Sequence, residues 1–283
     1  MSNAYRIFQG GFGRIALLDM DEPLVPHAHS ECHVLIKATG QDTYFSVRGR
    51  RFPLTDNTAV LVNAWEPHYY DHQVGVSDSL ILALYIEPRW LAAIQTDLST
   101  SARPDFFSQP CVELTPHIRR QADILIGEML GLAPKPREEM ESLIFNLLIS
   151  IMEKHSDWHH LAKLRVCTAG NFYDARIRRA TELILQAPPG ELEFDIIARQ
   201  CNLSRAHFFS LFKKTTGMTP QMLANMRRMQ SAFDWLAQNR QGSLGELSIA
   251  LGFPEQGHFT RFFRRHIGAA PSQYQRVMDD YSP

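Results

Sequence analysis

The last third of the chain carries one pattern twice. Phe212, Lys213, Lys214, Gly217 and Pro220 recur as Phe263, Arg264, Arg265, Gly268 and Pro271, and His207 and Phe208 recur as His258 and Phe259, each pair 51 residues apart. A duplicated pattern of apolar and basic residues implies two copies of one small structural unit. The spacing fits a helix-turn-helix. In the first copy Ala198 is small enough for two helices to cross closely, Asn202 tolerates the left-handed backbone of a tight turn, and Ser204 can cap the helix that follows. In the second copy Leu247, Ser248, Gly252, Phe253, Phe259 and Phe263 take these places, with one extra residue in the turn.

The phenylalanines four apart should face inward, which leaves two outward faces of different chemistry. The first holds Arg205, Ala206, Phe209, Ser210 and Lys213; the second holds Gln256, Gly257, His258, Thr260, Arg261 and Arg264. A recognition helix enters the major groove by its N-terminal end. There Gln can pair bidentately with adenine and Arg with guanine, each good pair giving roughly 1–3 kcal/mol of discrimination. Lys213, Lys214, Arg264 and Arg265 lie later on each helix and are expected at phosphates. Charge agrees with this placement: residues 171–283 carry 14 Lys and Arg against 10 Asp and Glu, whereas 1–170 carry 15 against 20. A polyanion partner, double-stranded DNA, therefore suits the C-terminal half alone. Two ordinary solvated helix faces would not be expected to repeat in register.

The N-terminal half reads differently. From Tyr5 to Ile86 short β-branched and aromatic segments such as Thr43–Val47 and Ala59–Val62 alternate with turn signals, among them Gly10-Gly11 and Arg48-Gly49-Arg50, as in an antiparallel sandwich or small barrel. After Pro88 the period becomes helical. Ile118, Leu125 and Met129 fall on one face, then Met140, Leu143, Ile144, Leu147, Leu148 and Ile151 on another, with Gly131 and Pro136 between, which predicts an antiparallel helical hairpin over 116–155. The expected fold class is α+β, with a barrel to about residue 88, a sensor and dimerisation domain over 1–156, a linker at 157–172 and an all-α domain over 173–283. Cys32, Cys111, Cys167 and Cys201 have no paired spacing, which argues against a disulfide framework and a cysteine zinc site. No leader or membrane-spanning run is evident, so the cytoplasm is the expected location.

The stretch from Arg178 to Arg276 resembles the double helix-turn-helix domain of the AraC family of transcription regulators. The resemblance rests on Ala198, Ser204, Phe212-Lys213, Gly217, Pro220, Arg228, Ala232, Gly252-Phe253, Phe259, Arg261, Phe263, Gly268 and Pro271. It implies a seven-helix domain in which a long central helix, about Pro220 to Asn239, joins two recognition helices that enter successive major grooves about 34 Å apart. The family's base-contacting positions then fall on Arg205, Ala206, Phe209 and Ser210, and on Gln256, Gly257, His258, Thr260 and Arg261. Asn202 stands where the family has glycine and Ser248 where it has alanine, while Gly257 removes a side chain from the second recognition helix. The resemblance also implies a homodimer and a cupin-like sensor domain controlled by a small-molecule effector.

His27, His29, Glu31 and His33 alternate at period two, which would put all four on one face of a strand, with His68 able to close on it. The spacing resembles the cupin metal motif, although His33 occupies the carboxylate position and Asp56-Asn57 replaces the second motif's Pro-Gly. Three readings stay open: a divalent metal such as Zn, Ni or Fe on His27, His29, His33 and His68; an effector pocket lined by His27, His29, His33, Tyr44, Trp65, His68 and Tyr70; or plain packing. The leading function is a sequence-specific DNA-binding transcription regulator, not an enzyme, since there are no paired carboxylates, nucleophile signature or phosphate-cradling glycine loop. The alternatives are a metal-dependent cupin enzyme, a dioxygenase or isomerase, with secondary DNA binding, and a non-specific DNA-compacting protein.

Overall fold

The computed structural model describes residues 3–72, 78–131, 135–156, 174–188, 190–239 and 242–280. The expected linker at 157–172, with Cys167, lies outside them; Cys32, Cys111 and Cys201 are free thiols. The strands are β1 (Asn3–Gly10), β2 (Gly13–Met20), β3 (Cys32–Gly40), β4 (Thr43–Val47), β5 (Arg50–Leu54), β6 (Thr58–Val62), β7 (His68–Tyr70), β8 (Ser79–Ile86), β9 (Cys111–Glu113) and β10 (Met278–Asp280). They form a seven-stranded sheet in the order β10-β1-β2-β8-β3-β6-β9 and a three-stranded sheet in the order β5-β4-β7. The β4–β5 connection puts Arg48 and Gly49 at positive φ, as a two-residue hairpin turn matched to strand twist requires.

The two sheets enclose an apolar layer of Leu35, Val60, Val62 and Ala83 on one side and Phe45, Val47, Leu54 and Tyr70 on the other. No ladder among the described residues joins the sheets, so this is an open barrel. Alternation along the strands sends a second set, including Phe8, Ile15, Leu17, Val34, Ile36, Leu82 and Leu84, to the opposite face of the large sheet. Helices α1 (Pro88–Ile94), α2 (Pro116–Leu130) and α3 (Arg137–His155) follow. Helix α2 starts cleanly because Thr115 caps the Ile118 N–H and Pro116 takes the first helical position. Its buried Ile118, Leu125 and Met129 pack with Met140, Ile144 and Leu147 of α3 on that second sheet face.

The C-terminal domain is helical: α4 (Ala175–Gln186), α5 (Phe194–Gln200), α6 (Arg205–Thr216), the long α7 (Pro220–Gln238), α8 (Leu244–Ala250), α9 (Gln256–Ile267) and α10 (Pro271–Val277). The duplication is exact in its backbone devices. Asn202 (φ 55°) and Gly252 (φ 74°) make the two tight turns, and Gly217 (φ 78°) and Gly268 (φ 88°) end the two recognition helices in left-handed caps. Phe208 with Phe212 and Phe259 with Phe263 are fully buried edge-on pairs, each with centroids 5.7 Å apart.

The second helix-turn-helix unit docks on the barrel. β10 pairs in parallel with β1, Ile7 opposite Met278, and Arg6 reaches Asp279 at 2.8 Å. The core between the sheets runs on without a break into Met229, Phe233, Phe263 and Tyr274. At the seam the buried guanidinium of Arg14 lies between two rings, 3.9 Å from the centre of Tyr85 and 3.7 Å from that of Phe233.

Candidate nucleic-acid interface and interdomain pocket

Helices α6 and α9 present their N-terminal halves to solvent. On α6 Arg205, Ala206, Ser210, Lys213 and Lys214 are exposed, whereas Phe209 is half-buried, edge-on to Phe194 at 5.6 Å. The Arg205 guanidinium reaches Asp195 of the preceding helix at 2.8 Å. Ser204 caps α6 through the His207 N–H. On α9 Gln256, Gly257, His258, Arg261 and Arg265 are exposed and Thr260 is half-buried. Arg264 turns back to the barrel and meets Glu22 at 3.0 Å. The carbonyl of Arg265 accepts from the Val25 N–H at 2.9 Å, so the C-terminal end of α9 is anchored while its N-terminal end is free.

Between barrel and helices lies a cavity of about 290 Å³. The barrel side supplies Arg14, His27, His29, Glu31, Trp65 and Tyr85; the helical side supplies Met226, Arg227, Gln230, Phe233 and His266. Ala28, between the two histidines, is buried in the core of the first helix-turn-helix unit, and Trp65 packs on the same core. The segment 22–30 therefore touches both units. Trp65 sits at φ 66°, an uncommon conformation for a bulky residue, with its N–H on the His29 carbonyl at 2.7 Å.

The histidines reach this place by a different route from the one the period-two spacing suggests. Of the period-two set only His33 lies on a strand; His27 makes an isolated bridge with His68, the first residue of β7, and Ser30 and Glu31 form a bend. Prolines at 23 and 26 have no N–H for a ladder, which keeps this segment out of the sheet. The rings converge even so, with centroids 4.5 Å apart for His27 and His68, 4.9 Å for His29 and His68, and 5.2 Å for His29 and His33. One ring nitrogen from each of His27, His29 and His68 falls within 4.8 Å of the others. Burial, reinforced by the neighbouring imidazoles, lowers the His27 pKa to about 3 and takes His33 and His68 well below the usual histidine value. Burial alone would raise the Glu31 carboxyl, but the His29 ring and Arg14 override it and hold it at about 2.

Of the expected effector-lining residues, His27, His29 and Trp65 face the cavity; His33 and His68 do not line it but lie behind it, His33 stacked on Tyr85 at 4.0 Å and the His68 ring against those of His27 and His29. Tyr44 and Tyr70 do not belong to it. Tyr44 alternates outward on β4 and lies under the Arg51 guanidinium, while Tyr70 is fully buried between the sheets, its hydroxyl donating to the Met20 carbonyl. Sequence reasoning missed Arg14, Tyr85, Arg227, Gln230, Phe233 and His266. The available signal was Arg14 itself, a charge inside an apolar strand.

Two family models match the chain: an AraC-like ligand binding domain over residues 16–148 and a helix-turn-helix domain over 197–277. The HTH-type transcriptional activator RhaS of Shigella sonnei is 23% identical over 287 residues, covering 97% of this chain and 96% of its own length. An uncharacterized HTH-type transcriptional regulator of Haemophilus influenzae is 28% identical over 131 residues, 46% of this chain and 43% of its own. Among solved structures, the apo form of a ToxT variant from Vibrio cholerae matches with TM-score 0.58 at 12% identity, covering 96% of this chain and all of that one.

Proposed function

The chain belongs to the AraC family of transcription regulators, and from that premise we propose that a small-molecule effector binds in the interdomain cavity and controls how its two recognition helices meet DNA. The observation that carries this reading is that one cavity is walled by both domains. A ligand there makes different contacts in the docked and undocked arrangements, and such a difference in affinity is what shifts an equilibrium between them. The wall is apolar and aromatic with a few charged groups, Arg14, Glu31, Arg89 and Arg227, able to fix a polar end of the ligand. A fatty-acid-bound form of ToxT has the same overall fold, with TM-score 0.50 at 13% identity, which supports a ligand-responsive version of this architecture.

The division of labour on DNA is unequal. Helix α9 offers Gln256, His258, Thr260 and Arg261 for hydrogen-bonded base readout; α6 offers Arg205, Ala206 and Ser210, with Phe209 half-withdrawn into its own unit. Lys213, Lys214 and Arg265 serve phosphates, joined by Arg264 when it leaves Glu22. The protein acts in the cytoplasm as a homodimer through α2 and α3, where Ile124 and Leu130 stand about half exposed on α2. No helix among the described residues is long and apolar enough to cross a membrane. We read the chain as a regulator and not an enzyme, in line with relatives named as transcriptional activators and regulators.

Selection of binding sites from a random duplex library at physiological salt tests the DNA reading. It should enrich a site with two half-sites about one helical turn apart. Uniform recovery of all sequences would instead mean phosphate-driven compaction.

A further inference from the structure

The three histidines His27, His29 and His68, two of which line the cavity, share a feature that packing does not require. His27 donates its Nδ1–H to the Val25 carbonyl at 2.8 Å, His29 to the Glu31 carbonyl at 3.1 Å, and His68 to the Glu66 carbonyl at 2.8 Å. A carbonyl only accepts, so each bond fixes the tautomer and leaves Nε2 with its lone pair. Metal-ligating histidines are held in this way, one ring nitrogen on a carbonyl or carboxylate and the other on the ion. His29 carries both kinds of support, since the Glu31 carboxylate also lies 3.4 Å from its Nδ1. Two buried ring nitrogens here, Nε2 of His29 and Nε2 of His33, have no hydrogen-bond partner, and His33 is 2% exposed. An unpartnered buried acceptor is costly, and a cation is the species that satisfies several converging lone pairs at once.

We propose that His27, His29 and His68 bind one divalent first-row transition ion through Nε2, with His33 behind them and the open coordination position facing the interdomain cavity. One nitrogen from each ring lies within 4.8 Å of the others, and rotation of the side chains must close this to the separation of about 3.4 Å that tetrahedral bonds of 2.0–2.1 Å impose. Three imidazoles without a thiolate suit Zn²⁺, Ni²⁺, Cu²⁺ or Fe²⁺ and disfavour Mg²⁺ and Ca²⁺. His33 Nδ1 is 3.2 Å from His68 Nε2 and gives up that contact when His68 turns to the ion. The ion lies in the segment that touches both helix-turn-helix units, and His266, near the end of α9, has its ring centre 6.3 Å from that of His27. Metal occupancy is thus coupled to the docking of α9.

The test uses the full chain, freed of metal by a chelator, titrated with Zn²⁺ alone by calorimetry and with Co²⁺ alone by visible absorption. One ion per chain and an intense band of a four- or five-coordinate nitrogen-ligated cobalt site are expected. No uptake, or the weak spectrum of the hydrated ion, overturns the site. His27→Gln, His29→Gln and His68→Gln should each weaken Zn²⁺ binding by more than about 100-fold, and Glu31→Gln by roughly 10- to 100-fold. The exposed His117→Gln should leave it unchanged. Undiminished binding by all three ligand variants overturns the assignment. Should any variant fail to fold, ring-nitrogen NMR of the histidine-labelled wild type decides: Zn²⁺ must shift Nε2 of these three rings, and shifts confined to other histidines refute the proposal. None of these readouts involves DNA, so the site stands or falls separately from the regulatory reading.

Discussion

Ser248 stands where two helices of the second unit cross, fully buried, and its hydroxyl has no hydrogen-bond partner. A buried hydroxyl left unpaired costs about 1–3 kcal/mol. Ser248→Ala should therefore stabilise the chain by about 1 kcal/mol, raising the denaturation midpoint without changing DNA affinity; a lower midpoint would mean that the hydroxyl is satisfied. On the outer face, Arg261→Ala should cost about 1–3 kcal/mol at the selected site and relax preference at one base pair, whereas Lys214→Ala should weaken all duplexes alike and reduce the salt slope by about 1. Equal effects of both on selected and random DNA would remove the distinction between base and phosphate contacts. Residues whose role depends on their own backbone were legible in the sequence: Asn202 takes the left-handed turn and Ser204 caps its helix. Phe209 was not, because its neighbour Phe194 is brought to it only by the crossing of two helices.

At the scale of elements, α9 is held at one end and free at the other. The clamp includes Glu22, which occupies Arg264. Glu22→Gln should release that guanidinium for phosphate, raising affinity for every duplex and steepening the dependence of log K on log salt by about 0.9. A slope identical to wild type would show that Arg264 does not reach DNA. The repeated helices could be read from the chain because their signals are local and occur twice. The histidine rings do converge, but not by sharing one strand face as their period-two spacing would suggest. Period two describes a strand only where the backbone can join a ladder, and the segment before His27 enters no strand of either sheet. The cavity was illegible for a related reason: Gln230, Phe233 and His266 lie some two hundred residues beyond His27 and His29, on helices whose periodicity speaks only of their own units.

At the scale of the whole molecule the two domains are joined through Arg14, β10 and a continuous core. Arg14→Ala removes a buried cation from between two rings, each contact contributing about 0.5–2 kcal/mol. Calorimetry should then resolve two unfolding transitions in place of one; a single transition at an unchanged midpoint would show that the seam does not depend on this side chain. The pairing of β1 with β10 also has a consequence in time. Arg6 and Asp279 are 273 positions apart in the chain, and a ribosome adding about 5–20 residues per second needs roughly 14–55 seconds to make the interval between them. Throughout that interval the outer edge of β1 has no strand beside it. An open edge will accept a strand from any chain that offers one, so two neighbouring nascent copies can exchange their last strands before either has closed its own sheet.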